Sequence, residues 1–170
     1  TSPTAATLSL DPSSHQNDNG IVETCEPAQV IMKTIASHIN AHKGAAIIID
    51  YGYGSGSKGD SLQAMQKHAY VEPLAAPGQA DLTSHVDFAA LKHVAEEVGA
   101  TTHGPIPQGK FLMKIGAGQR MQKLCGEASA EQGEAIMSGL ERLASPDQMG
   151  DLFKVLAITP KDHPKPEGFA

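Results

Sequence analysis

Tryptophan is missing from the 170 residues, and aromatic side chains make up only 4% of them. Any core must therefore be built from aliphatic groups, and the 40% apolar content is enough for one domain of ordinary size. Cysteine is nearly missing too. Cys25 and Cys125 stand far apart, and no CxxC pair occurs. That pattern fits free thiols in a reducing compartment, which bacterial cytoplasm and mitochondrial matrix both provide. There is no basic block: 13 Lys and Arg stand against 19 Asp and Glu, for a net charge of −6. A phosphate-backbone binder needs clustered cations, so nucleic acid is not expected as a partner. The longest apolar run, residues 45–49, is far too short to span a bilayer, so membrane insertion is not expected. Residue 1 is Thr, and no secretory apolar region follows it. Residues 1–20, with Pro3, Pro12 and an Asn-Asp-Asn-Gly run, read as a poorly ordered lead-in to a fragment or processed product.

What is present has α/β character. Residues 27–43 are predicted to be a helix, with Pro27 in its first turn and Glu26 at the positive end of its dipole. Val30, Ile31, Ile35, His38, Ile39 and His42 recur at helical steps, and Gly44 suits the C-cap. A β-branched run then leads to Asp50 and predicts a strand buried on both faces. Residues 60–74 alternate poorly, with short strands expected near Tyr70. Residues 61–67 have some helical character, and Pro77-Gly78 marks a turn. A helix is predicted over 87–98, N-capped by Asp87 and ended by Gly99, with Phe88, Leu91, Val94, Ala95 and Val98 as its apolar stripe. Residues 101–107 could form a strand broken by two prolines. Helical spacing returns over 110–124 and 131–143. Residues 153–159 (FKVLAIT) read as a second buried strand, and 160–170 as a polar, proline-rich tail. No internal repeat or interdomain linker is visible.

Gly54, Gly56 and Gly59 match the G-x-G-x-x-G spacing of a dinucleotide loop. A strand precedes them, but no firm helix follows, and Glu72 and Asp81 are poorly placed for a ribose. A solvent-exposed connection is the favoured reading; an unrelated nucleotide-binding domain using these glycines is a weaker one. Asp50, Tyr51 and Gly52 are more informative. Ligands of open α/β sheets bind outside the carboxyl ends of strands, where Asp50 could orient a cation or act as a base, or merely cap a turn. The stretch 81–88 (DLTSHVDF) packs Asp81, His85 and Asp87 before a helix, as a base or anion site or as capping chemistry. Capping is favoured, and both roles can coexist. Gln108 follows the rigid GPIP loop and could hydrogen-bond a substrate or close the loop on itself. His38 and His42 share a helical face, but no third metal ligand is apparent, so no metal site is expected.

Residues 45–52 (AAIIIDYG), 59–63 (GDSLQ), 77–88 (PGQADLTSHVDF), 104–112 (GPIPQGKFL) and 149–158 (MGDLFKVLAI) resemble, in this order and spacing, the MidA family of class I S-adenosylmethionine-dependent methyltransferases. Residues 23–27 (ETCEP) resemble the family's approach to its fifth strand. The family includes the mitochondrial arginine methyltransferase that assists complex I assembly. The resemblance covers roughly residues 20–160. It implies a Rossmann-like sheet with helices on its faces and an inserted substrate-side segment, with residues 21–160 as the C-terminal part of the domain, after the lead-in and before the tail. It also implies S-adenosylmethionine as cofactor and a protein substrate, such as a complex I subunit. The family's Gly-Pro-Gly-x-Gly loop and ribose-binding acid find no match here, so no cofactor-binding residue is assigned, and glycines 52–59 align with a variable loop. Among matching positions, Asp50, Tyr51 and Asp87 are the catalytic candidates, and Asp81, His85 and Gln108 the substrate-binding ones. The alternative is a non-catalytic assembly module with the same fold. In either case one edge of the 45–50 strand is expected to lie open, so the chain should be marginally stable or associate, for instance as a homodimer.

Overall fold

The computed structural model describes residues 23–55 and 60–170. The lead-in over 1–20 and the glycines at 56 and 59 lie outside the described residues. Helix α1 spans Glu26–His42 and runs into strand β1, Ala46–Tyr53. Strands β2 (Gln63–Gln66), β3 (Ala69–Val71) and β4 (Asp81–Thr83) follow, then β5 (Val86–Asp87) and helix α2 (Phe88–Glu97). Strand β6 (Thr101–Pro107) leads into helices α3 (Gln108–Lys114), α4 (Ala117–Glu127) and α5 (Ala130–Ala144). A π-helical turn at Pro146–Gly150 precedes β7, Phe153–Thr159.

The main sheet has the order β5-β1-β7-β6. β7 is antiparallel to β1 and to β6, while the two-residue β5 is parallel to the end of β1. The middle strand β7 is buried throughout from Val155 to Thr159, as its unbroken apolar run predicts. Beside it, β2, β3 and β4 form a separate antiparallel sheet. Its strand β2 takes up Gln63–Gln66 and Lys67 starts the turn that follows, so the helical reading of residues 61–67 is corrected. The β2–β3 connection is a two-residue turn with Lys67 and His68 both at positive φ.

Two cores cover the sheet. On one face, Met32, Ala36 and Ile39 of α1 and Phe88, Leu91 and Ala95 of α2 pack against Leu156 and Ile158. The α2 stripe is the predicted one. The α1 stripe is rotated: Val30 and Ile31 are exposed, and Ala28, Met32, Ile35, Ala36 and Ile39 face the sheet. Periodicity alone allowed either face, because apolar residues lie on both. Lys43 rather than Gly44 takes the positive φ beyond this helix. On the other face, Phe111 and Phe169 pack against Val155 and Ala157. Phe169 anchors the end of the polar tail, and the Lys114 ammonium donates to the carbonyl of Ala170.

β1 departs from its prediction as a strand buried on both faces. Ala46 and Ile48 pack on the first core, but Ile47 and Ile49 remain 53% and 47% exposed. Phe111 and Phe169 reach β7, and no described element covers β1 on that side. The predicted helix over 110–124 is broken at Gly116, whose φ of 92° separates α3 from α4. Close backbone approaches lock this helical end. A Cβ on Gly109 or on Gly150 would stand 2.2 Å from the Ala144 carbonyl oxygen.

Candidate functional site

The carboxyl end of β1 collects most of the candidate chemistry. Gly52 pairs with Val86 and Tyr53 with Asp87, so β5 delivers the 85–87 segment beside residues 50–53. Successive strand residues point to opposite faces. Tyr51 and Tyr53 share the sparsely covered face, and the His85 ring lies 5.7 Å from that of Tyr51 and 4.6 Å from that of Tyr53. Phe153 on β7 closes the row, 5.6 Å from Tyr51. Asp50 lies on the other face, opposite Lys154 in the register, and its carboxylate accepts from the Tyr51 N–H at 2.8 Å.

The six residues singled out in the sequence divide into groups. Tyr51 and His85 are in direct ring contact. Asp87 stands in register beside Tyr53 and N-caps α2, accepting from the Ala90 N–H at 3.0 Å. Asp50 is at the same sheet end, on the opposite face. Asp81 is exposed on β4, in the small sheet, where it pairs with Met65. Gln108 is buried at the start of α3, and its amide donates to the Leu143 carbonyl at 2.8 Å, tying α3 to the end of α5.

Three further residues belong to the cluster and were not singled out. Tyr53 contributes its ring. Burial and then the Glu23 carboxylate hold its phenol above the ordinary value of 10.0. Glu23 accepts twice from Ser61, from the N–H at 2.8 Å and from the hydroxyl at 2.6 Å. Ser61 is buried, and its Oγ receives the His85 N–H at 3.0 Å. Glu23 and Ser61 both lie in segments that carry the family resemblance, ETCEP and GDSLQ, but their meeting could not be read from spacing. The His85 Nδ1 is buried and has no hydrogen-bond partner among the described residues. No group of three or more potential metal ligands occurs among them either. The rings of His38 and His42 meet at a 40° tilt, 4.5 Å between centroids.

The glycine at the sheet end does not open a cradle. A Cβ on Gly52 would stand 2.1 Å from the Val86 carbonyl oxygen, so that space is already filled by the chain's own backbone. A groove of about 360 Å³ lies elsewhere, lined by Met113, Met121, Met137 and Leu140 on α3, α4 and α5. It contains none of the candidate residues.

Aromatic, imidazole and carboxylate groups thus gather at one strand end of an α/β sheet. The chain belongs to the family described as "Putative S-adenosyl-L-methionine-dependent methyltransferase", which matches residues 2–106. It is 42% identical over 128 residues to the protein arginine methyltransferase NDUFAF7 homolog, mitochondrial, of Drosophila melanogaster, covering 74% of this chain and 29% of that protein. It is 38% identical over 142 residues to protein arginine methyltransferase NDUFAF7, mitochondrial, of Mus musculus, covering 82% of this chain and 32% of that protein. Two solved structures from Burkholderia thailandensis superpose on 88% of the chain. One has a TM-score of 0.79 at 27% identity, with 41% of that protein covered. The other, bound to S-adenosyl-homocysteine, has a TM-score of 0.74 at 26% identity, with 40% covered. The chain thus spans about a third of the length of the curated relatives it matches.

Proposed function

We propose that this chain supplies the C-terminal, substrate-side part of an S-adenosylmethionine-dependent protein arginine methyltransferase. The observation that carries this reading is the cluster of Tyr51, Tyr53, His85 and Asp87 at a strand end, in a chain that superposes on a structure holding S-adenosyl-homocysteine. Bound cofactor would supply an electrophilic methyl group on a sulfonium. The described residues do not build its cradle, since the Gly52 space is filled. The glycine loop and ribose-binding acid are assigned to the part of the relatives that this chain does not span.

The chain's own residues suit a guanidinium. Carboxylates are its natural partners, and aromatic faces accept it by stacking. Asp87, beside Tyr53, and Asp50, at the same sheet end, supply negative charge. Tyr51 and His85 supply rings, and the His85 Nδ1 supplies a hydrogen-bonding atom unused among the described residues. Asp81 and Gln108 are kept as an outer substrate contact and a loop anchor. The substrate is assigned as a protein, with a complex I subunit as the first to test. The mitochondrial matrix is the assigned compartment, since the named relatives are mitochondrial.

The test uses tritiated S-adenosylmethionine and an arginine-bearing protein acceptor. The chain alone should leave the label in solution. Joined to the N-terminal part of the Drosophila relative, it should transfer label to arginine. No transfer by the joined protein, or micromolar cofactor binding by the chain alone, overturns the proposal. A joined protein that binds cofactor without transferring methyl favours the second reading, a non-catalytic assembly module.

A further inference from the structure

We infer that Glu23 and Ser61 are positioning residues that hold His85 in place for substrate, an inference that rests on the proposed role of His85. Three segments distant in sequence meet at one hydroxyl: residue 23 before α1, residue 61 before β2, and residue 85 before β5. Their hydrogen bonds have a fixed direction. A carboxylate accepts but does not donate, so the Ser61 hydroxyl proton points to Glu23 at 2.6 Å. That leaves an Oγ lone pair for the His85 N–H at 3.0 Å. The Ser61 N–H completes a two-pronged grip on the same carboxylate at 2.8 Å. Ser61 is only 3% exposed, so water competes little for these bonds.

The consequence falls on the imidazole. Its backbone is tethered from one side, while its ring is held against Tyr53 and Tyr51 from the other. The ring therefore has little freedom, and it keeps one buried nitrogen without a partner among the described residues. An unsatisfied buried polar atom in a native structure calls for an explanation. Here the explanation is a hydrogen bond completed only when substrate arrives. Holding such a group in its productive orientation before binding is how an outer residue raises affinity without touching the ligand.

The test reads His85 by NMR in the 170-residue chain, so it does not depend on catalysis. In the parent chain the His85 amide should be protected from exchange; exchange at the unprotected rate overturns the inference. Ser61→Ala and Glu23→Ala should move the His85 ring resonances toward random-coil values and leave the exposed His93 and His163 in place. Glu23→Gln should restore them, because its amide oxygen still takes the Ser61 N–H and its NH2 donates to Oγ, whose second lone pair takes the His85 N–H. Unchanged His85 resonances in both alanine variants would sink the idea. N-acetyl-argininamide is the binding probe. It should shift His85 in the parent and in Glu23→Gln, with affinity roughly tenfold lower in Ser61→Ala. A folded parent that shows no shift refutes the substrate role of His85 and the positioning for substrate that rests on it. Unchanged affinity in Ser61→Ala refutes the positioning alone.

Discussion

Gly52 has no room for a side chain, since a Cβ would meet the backbone of Val86 at 2.1 Å. The listener to any change there is β5, which carries His85 and Asp87 into place. Gly52→Ala should therefore push β5 away from β1. The expected cost is about 1–3 kcal/mol, read as a lower urea midpoint at unchanged slope. Asp87 separates a structural from a chemical role by a single atom. Asp87→Asn keeps an acceptor for the Ala90 N–H and should cost a few tenths of a kcal/mol at most, since Asn and Asp cap about equally well. Asp87→Ala loses the cap and should cost about 1 kcal/mol. If the carboxylate also serves the substrate, both variants should abolish methyl transfer in the joined protein, although only the second is destabilised. Equal activity of Asp87→Asn and parent would leave Asp87 as a cap.

At the scale of elements, the β2–β3 hairpin shows what a sequence can hide. A two-residue turn with two positive φ values ordinarily announces itself as Asn-Gly. Here Lys67 and His68 occupy it at φ 51° and 64°, so nothing in the residues 66–69 signals a turn. Replacing the pair by Asn-Gly should raise stability by about 1 kcal/mol or more, visible as a higher urea midpoint, because left-handed backbone is costly for residues with a Cβ. By contrast, α2 and β7 were legible to within a residue. Asp87 and Gly99 punctuate the one, and the run FKVLAIT leaves no polar face on the other. The face of α1 was not legible, because Val30 and Ile31 compete with Met32 and Ala36 and only the position of β7 decides between them. The cluster of Glu23, Ser61 and His85 was illegible for a related reason: its bonds join residues 24 to 38 apart. Strand β6 carries His103, which meets Thr159 at 3.0 Å and packs near Phe169. Burial, then the charges of Lys165 and His163, hold this imidazole below its ordinary value of 6.5. The folded state therefore binds the proton less well than the unfolded chain. Stability is complete above pH 6.5 and is lost as pH falls through the lower folded value. Urea midpoints taken from pH 7.5 to 5 should fall, and His103→Gln should flatten that part of the fall. Parallel curves for parent and variant would contradict it.

For the whole molecule, the described strands pair the two edges of β1 unequally. β7 satisfies one edge of β1 over residues 46–51, whereas β5 pairs the opposite edge only at Gly52 and Tyr53. The stretch of that edge left unpaired among the described residues is also where Ile47 and Ile49 stand exposed. Unpaired N–H and C=O groups beside exposed β-branched side chains form a template for another strand. In the proposed complete enzyme that strand belongs to the cofactor-binding part, which would bury the edge and both isoleucines together. In the 170-residue chain the same surface should recruit a second copy. Sedimentation velocity should then show a concentration-dependent shift toward dimer or larger species. Ile49→Lys places a charge on the exposed face without disturbing either core, so it should weaken association while moving stability by no more than about 0.5 kcal/mol. Joining the chain to the N-terminal part of a relative should suppress association more completely than the point substitution does, because it fills the edge instead of only repelling a neighbour from it. A parent chain that stays monomeric across a hundredfold range of concentration would show that the edge of β1 is already protected.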